Sequence, residues 1–239
     1  MRTWLALAPR ALLGAVLFLM AQPALAQAPN DRQALADQAQ SAIAAKNWPA
    51  AVAALNQLVA IDPQWKYFEQ LGDAELNGGD YEAALTAYKR GVERAEADGA
   101  QDVAARTAIG AMLTNEGNAL LKLRRNADAI AAYAKAAALD PHPARAYFNL
   151  CATEYNTGDV DGALSDCDKA IEADPTKADA YFIKGSLLIA QSTTGADGKV
   201  NAPPGTVAAL RKYLELEPTG AHAGDVRQML AYVGVAAAD

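Results

Sequence analysis

The chain contains little histidine, little cysteine and few aromatic side chains. Its 239 residues include two histidines and two cysteines, and aromatic residues make up 7% of it. His142 and His222 lack partners at metal-ligand spacing, and a metal site needs three or four converging ligands. No Gly-rich phosphate loop, nucleophile elbow or HExxH motif is present in the sequence. The sequence therefore predicts no catalytic residue, no metal and no cofactor.

The chain also has fewer basic than acidic residues, with 21 lysines and arginines against 28 aspartates and glutamates, so its formal net charge is −7. An acidic protein lacks the electrostatic footprint that binds nucleic acid. It is also repelled by an anionic membrane surface. Nucleic acid is therefore excluded as a partner, whereas basic or neutral proteins remain compatible with this charge.

Alternating runs of β-branched and aromatic residues, which would predict strands, are largely missing. Hydrophobic residues nevertheless make up 52% of the chain, and alanine dominates among them. Alanine is the best helix former and allows helix backbones to approach closely. The composition therefore predicts an all-α protein built by packing helix on helix.

Residues 1–28 have the features of a secretory signal peptide. Arg2 and Arg10 supply positive charge, residues 11–21 form an apolar stretch, and small residues follow Pro23. Cleavage is expected after Ala26 or Ala28. An uncleaved anchor is the alternative, but the apolar stretch is shorter than the roughly 20 residues that span a bilayer. The expected location is the bacterial periplasm or the outside of the cell, with no membrane insertion after cleavage.

The sequence repeats itself with a period of 34 residues. Asp140-Pro141 and Tyr147-Phe148 recur as Asp174-Pro175 and Tyr181-Phe182. The small residues Gly117, Cys151 and Gly185 keep the same period. A period of 34 with this residue order resembles the tetratricopeptide repeat (TPR). The resemblance implies helix pairs stacked in a right-handed superhelical solenoid, whose first helices line a concave groove that binds a protein or peptide.

The repeat divides the chain into about five helix pairs and a capping helix. The predicted segments are a degenerate first unit at 31–64, a second at 65–98, a third with an N-terminal extension at 99–143, a fourth at 144–177, a fifth at 178–219 and the cap at 221–236. Helix N-caps are predicted at Asp80, Asn126 and Asp159.

Two places depart from the period. Gly72 and Gly117 are 45 residues apart, which predicts long helices over roughly 80–97 and 102–122 and a hinge between them. The fifth unit carries an insertion at 192–205, with helices ending near Gln191 and resuming near Thr206. Asp197-Gly198 suggests a tight turn or small hairpin there. The insertion is either a tolerated surface loop or a contact element beside the groove.

The two cysteines lie 16 residues apart in the fourth unit. The resemblance places Cys151 and Cys167 at the same level of two antiparallel helices. In an oxidising compartment they would form a disulfide. The alternative is a pair of buried thiols that act as small apolar residues.

The resemblance also implies which side chains face the groove. A related subclass clamps a C-terminal carboxylate with two asparagines and three cations. Thr114, Asp179 and Ile183 occupy the cation positions, so no such clamp is expected. Asn118 and Asn149 are candidates to bind a peptide backbone, although ordinary polar surface would explain them equally. The groove residues predicted to bind a partner are Asn118, Lys122, Arg145, Phe148, Asn149, Tyr155 and Phe182.

These features predict a non-catalytic adaptor of the bacterial envelope that binds a partner segment in its groove. The alternative is a structural subunit of an envelope assembly or secretion complex that uses its convex face or the insertion loop. An enzyme or ligand carrier is the least favoured of the three functions.

Overall fold

The computed structural model describes residues 28–99 and 102–236. The predicted signal segment lies outside these residues except for Ala28, where the first helix begins. The described helices are α1 (Ala28–Ala44), α2 (Trp48–Ile61), α3 (Trp65–Gly78), α4 (Tyr81–Ala97), α5 (Val103–Lys122), α6 (Asn126–Leu139), α7 (Ala144–Thr157), α8 (Val160–Ala173), α9 (Ala178–Ala190), α10 (Thr206–Leu216) and α11 (Ala223–Tyr232). Two short strands, β1 (Thr193–Thr194) and β2 (Val200–Asn201), lie between α9 and α10.

Each helix packs against the next one in the chain, from α1 to α11. The first helices of neighbouring units also meet, because α3 contacts α5, α5 contacts α7, and α7 contacts α9. These helices therefore line the inner face of the array, and the second helices α4, α6 and α8 form the outer face. The arrangement confirms the predicted all-α solenoid of about five helix pairs with a further helix at its C-terminal end. The limits of the individual units stay a prediction.

In the second and third units a glycine of the first helix lies against a tyrosine of the second helix. The ring of Tyr88 covers Gly72, and the ring of Tyr133 covers Gly117. A Cβ atom at Gly117 would lie 2.4 Å from the Tyr133 ring, so a side chain cannot be added there without displacing the tyrosine. Both tyrosines are completely buried. This contact fixes how closely the two helices of a unit approach.

The turns within units follow the predicted capping chemistry in two of three cases. Asp80 and Asp159 cap α4 and α8, and each accepts a hydrogen bond from the third residue after it, at 3.1 Å. The prediction at Asn126 is wrong by one residue, because Arg125 occupies the cap position and Asn126 is already helical. Arg124 takes the left-handed conformation (φ 59°) that Gly79 and Gly158 take in the other turns. The backbone conformation therefore sets this turn, and Asn126, the residue favoured as a cap, lies one position after the cap position.

The long helices on either side of residue 100 are confirmed, since α4 ends at Ala97 and α5 begins at Val103. The insertion also has the predicted form. Its two strands pair antiparallel in the register Thr193 with Asn201 and Thr194 with Val200. Gly198 has a φ of 78° in the connecting turn, which glycine adopts without strain. None of the described helices is both long enough and apolar enough to span a bilayer.

Candidate binding groove

The inner face carries a cluster of polar side chains between α3 and α5. Tyr88 reaches through from α4, and its hydroxyl donates a hydrogen bond of 2.7 Å to the Asp73 carboxylate. The Asn115 amide donates to the same oxygen, Asp73 Oδ1, at 2.9 Å. Asp73, Tyr88 and Asn115, here called the Asp73 cluster, thus join three helices by hydrogen bonds.

An equivalent cluster lies one unit further along. The Tyr133 hydroxyl donates a hydrogen bond of 2.7 Å to Asn118 Oδ1, and Asn149 Nδ2 lies 3.5 Å from the same oxygen. Asn118, Tyr133 and Asn149 are here called the Asn118 cluster. Asn118 Nδ2 donates to Asn115 Oδ1 at 3.4 Å and so connects the two clusters. A continuous hydrogen-bonded chain therefore crosses α3, α5 and α7 on the inner face.

Asn118 and Asn149 were predicted as groove residues from the sequence, whereas Tyr88 and Tyr133, which donate hydrogen bonds to this chain, were not. The signal was present, because the acceptor precedes its tyrosine by 15 residues in both clusters. Both tyrosines are fully buried, and each hydroxyl ends beneath the inner face, where it donates a hydrogen bond to a polar side chain of the groove.

The two clusters differ in charge. Asp73 carries a carboxylate, and Glu69 lies one turn before it on α3. Burial, and secondarily the negative charge of Asp73, raise the pKa of Glu69 to about 7. At the Asn118 cluster the acceptor is a neutral amide and the nearby charge is positive. Burial raises the pKa of Tyr133 to about 12, while the guanidinium of Arg145 acts in the opposite direction. The groove is therefore acidic along α3 and basic near the start of α7.

No third cluster of this kind forms in the fourth unit. Cys167 takes the place of the tyrosine and forms a disulfide with Cys151, whose Cα atom lies 5.0 Å away. Ala152 and Ile183 occupy the positions that carry the polar partners in the other two clusters. The bridge therefore does the packing that Gly and Tyr do elsewhere, and it brings no polar side chain to the inner face.

The remaining groove residues predicted from the sequence fall into two groups. Lys122, Arg145 and Tyr155 are exposed, and Tyr155 keeps 39% of its surface accessible. Phe148 and Phe182 are half-buried and already have partners. The Lys177 ammonium lies 4.8 Å from the Phe148 ring centre. Phe182 stacks on His222 with ring centres 3.8 Å apart.

Thr114 was also expected to face the groove, and this expectation is wrong. Thr114 is only 2% exposed, and its hydroxyl donates a hydrogen bond of 2.8 Å to the Gly110 carbonyl of its own helix. Its short side chain remains beneath its neighbours. The residues at the same repeat position of other units have longer side chains that reach toward the groove surface: Glu69, Phe148 and Phe182.

Two buried carboxylates lie near the turns of the second and fourth units. Glu75 and Glu154 are each 8% exposed, and Oε2 of each has no hydrogen-bond partner. Burial raises the pKa of both to about 7, with a smaller contribution from Asp80 at Glu75 and from Asp166 at Glu154. Within residues 28–99 and 102–236 no cluster of three or more acidic, cysteine or histidine side chains is arranged to hold a metal ion.

Comparisons with known proteins agree with this geometry. Sequence profiles of the tetratricopeptide repeat match residues 66–98 and 114–178. No curated protein matches the chain in sequence.

The solved structures that are similar in fold include the following three. MamA from Desulfovibrio magneticus RS-1 has a TM-score of 0.61 and 18% identity over 80% of this chain and 98% of its own. YrrB, described as a TPR protein with an unusual peptide-binding site, has a TM-score of 0.59 and 17% identity over 84% of this chain and 99% of its own. A tetratricopeptide repeat protein from Parabacteroides merdae has a TM-score of 0.62 and 13% identity over 85% of this chain and 75% of its own.

At these identities the similarity concerns the fold alone. Three observations agree on the family. The profiles match two separate segments, the helices pack in consecutive pairs, and a glycine of the first helix lies under a tyrosine of the second helix in the second and third units. The chain is a tetratricopeptide-repeat protein.

Proposed function

We propose that this protein is a non-catalytic scaffold of the bacterial cell envelope that holds a segment of a partner protein in its concave groove. TPR proteins bind protein or peptide partners, and this general role follows from the family. The observation that carries the finer proposal is the hydrogen-bonded chain of the Asp73 and Asn118 clusters along α3, α5 and α7.

The clusters suit an extended peptide backbone. An asparagine side chain offers two N–H donors and a carbonyl acceptor, which match the groups that a peptide presents along its length. Within the groove Asn149 uses one donor toward Asn118. Because Tyr133 orients Asn118 from below, the amide does not lose rotamer freedom when a partner arrives, and this favours binding.

The location in the envelope is supported by the sequence of residues 1–28 and by the cysteines. An Arg-containing segment, an apolar stretch and small residues at Ala26 and Ala28 are typical of a secretory signal. The Cys151–Cys167 disulfide fits an oxidising compartment. The mass of the protein purified from the envelope tests this location: we expect a chain that begins at Gln27 or Pro29, and an intact N-terminus would contradict cleavage.

The groove itself is tested by photo-crosslinking in living cells. A photoreactive amino acid at Lys122 or Tyr155, both exposed on the inner face, is expected to capture a partner. The same amino acid at Leu139 on the outer face is the control. Capture from the outer position alone would contradict the proposal.

Binding through the outer face is the second candidate, and one observation favours it. A groove of about 410 Å³ lies between α4 and α6 with α5 as its floor, lined in part by Leu85, Leu113 and Leu120. Glu116 lies in this floor, and burial raises its pKa although Lys135, Lys89 and Arg125 act against the increase. A structural subunit would be captured from Leu139, so the same experiment distinguishes the two functions.

A further inference from the structure

A pocket opens on the inner face beside the Asp73 cluster. It lies between α1 and α3, with the first residue of α2 and Asn115 of α5 at its edges, and its volume is about 530 Å³. Ile43, Trp48 and Leu76 form apolar walls, and Asp73 and Gln70 supply polar atoms. None of the partner-binding residues that were predicted from the sequence lies in this pocket.

Asp73 is held in place but keeps acceptor capacity. Tyr88 and Asn115 both donate hydrogen bonds to Oδ1, at 2.7 Å and 2.9 Å, and these bonds fix the orientation of the carboxylate. Neither bond uses the second oxygen, Oδ2. A carboxylate accepts hydrogen bonds at about four lone-pair positions. The free oxygen can therefore accept from a ligand without breaking the cluster.

The charge of the pocket is uncompensated. Its lining includes no lysine or arginine, and none of the ion pairs between described residues involves Asp73 or Glu69. Lys66 lies on the same helix, but its ammonium is 5.0 Å from the ring centre of Tyr67. Burial, and secondarily the negative charge of Asp73, raise the pKa of Glu69 on the same helix.

We propose that this pocket receives a lysine or arginine side chain of the bound partner segment. The aliphatic stem packs against Trp48, Ile43 and Leu76, as long cationic side chains do on apolar surfaces, and the charged group pairs with Asp73. This inference rests on the proposed groove binding and adds a direction to it. The cationic residue of the partner lies toward α1 and α3, and the segment continues past the Asn118 cluster toward Arg145.

The chain itself supplies the variant that tests this pairing. Asp73→Asn keeps an oxygen that can accept from Tyr88 and Asn115, in the way that Asn118 accepts from Tyr133. The variant is therefore expected to fold normally while losing the charge. Glu172→Gln is the matched control, because it removes one exposed carboxylate from α8 on the outer face.

The probe is a random dodecapeptide library displayed on phage and selected on the purified protein. We expect the selected peptides to contain a lysine or arginine at a fixed place. Synthetic versions in which that residue is replaced by glutamine are expected to bind the wild-type protein about tenfold more weakly, a value between those of exposed and buried ion pairs. The same replacement is expected to change binding to Asp73→Asn very little, whereas its effect on binding to Glu172→Gln is expected to equal that for the wild type.

The outcomes separate the two proposals. In one outcome, Lys122→Ala or Tyr155→Ala weakens binding of the selected peptides, but the peptides contain no cation whose effect depends on Asp73. This outcome overturns the inference and leaves groove binding intact. Selected peptides whose binding survives all the groove substitutions, or a library that yields no binder, overturn the proposed function and the inference together.

Discussion

The third and fourth units solve the same packing problem in two ways. In both, a small residue on the first helix faces a residue 16 positions later on the second helix. The third unit pairs Gly117 with Tyr133, and the fourth joins Cys151 to Cys167. The ring of the tyrosine fills the space, and its hydroxyl donates a hydrogen bond to Asn118 of the inner face, whereas the disulfide closes the space by a covalent bond and supplies no such donor.

The difference shows that core packing and groove chemistry are coupled in this fold. The Asn118 cluster depends on a buried tyrosine, and the polar chain stops at the unit where that tyrosine is replaced. A change in the core of a unit therefore alters what its groove can bind.

The largest expected effect comes from filling the space under Tyr133. Gly117→Leu would place atoms where the Tyr133 ring lies 2.4 Å from the first added carbon, and we expect the free energy of unfolding to fall by about 3 kcal/mol or more, as strong overpacking does. Urea denaturation followed by circular dichroism measures it. Gly224→Ala is the control, because a Cβ there meets no atom within 4 Å. Equal stability of both variants would show that the ring does not set the helix spacing.

The next effect concerns the bridge in the fourth unit. Cys151→Ala combined with Cys167→Ala is expected to lower the free energy of unfolding by about 3 kcal/mol, because the bridge closes a loop of 16 residues in the unfolded chain. Cys151→Gly with Cys167→Tyr copies the third unit and is expected to recover part of the loss through packing. Alkylation of the native protein without reductant checks the starting state, and labelling of both thiols would contradict a disulfide.

A smaller effect distinguishes the two units by pH. Glu154 of the fourth unit is buried where the third unit has Leu120. Since the pKa of Glu154 is raised to about 7, the folded state binds more protons than the unfolded state between pH 4.5 and 7. The free energy of unfolding therefore falls as pH rises through this window.

Glu154→Leu should remove the contribution of Glu154 to this loss, while Glu69 and Glu75 keep theirs. We expect it to stabilise the protein at pH 8 by about 1–2 kcal/mol, because a buried carboxylate with an unpartnered oxygen is replaced by an apolar side chain. Thermal unfolding from pH 4.5 to 8 provides the measurement. Glu172→Gln, on the exposed side of α8, is the control. A pH dependence unchanged in Glu154→Leu would show that other groups produce it.

The smallest effect tests the turns. Asp80→Ala is expected to cost about 1 kcal/mol, since it removes a side-chain cap at the start of α4. Asn126→Ala is expected to change stability by only a few tenths of a kcal/mol, because Asn126 lies inside α6 and alanine favours a helix. Chemical denaturation of both variants compares them, and a larger loss at Asn126 would restore the sequence-based assignment.

The sequence predicted the features that depend on local patterns. The helix pairs, the long helices on either side of residue 100 and the turn at Gly198 all follow from periodicity and from residues with strong conformational preferences. What it missed depends on contacts between distant residues. Asn115 donates a hydrogen bond to Asp73, which is 42 residues away in the chain, and the Phe182 ring stacks on His222, which precedes the last helix. Neither pairing can be inferred from the local sequence pattern. The cap at Arg125 was missed because Arg124, which is not a glycine, adopts the left-handed conformation in this turn.

The bridge between Cys151 and Cys167 also bears on how the array responds to tension. A solenoid whose units contact only their neighbours extends unit by unit when its ends are pulled apart. The 16-residue segment between the cysteines cannot join that extension, and at about 3.4 Å per residue it withholds about 50 Å of contour length. Force spectroscopy of the oxidised protein would therefore record a shorter total extension than the reduced protein, by an amount set by a single unit.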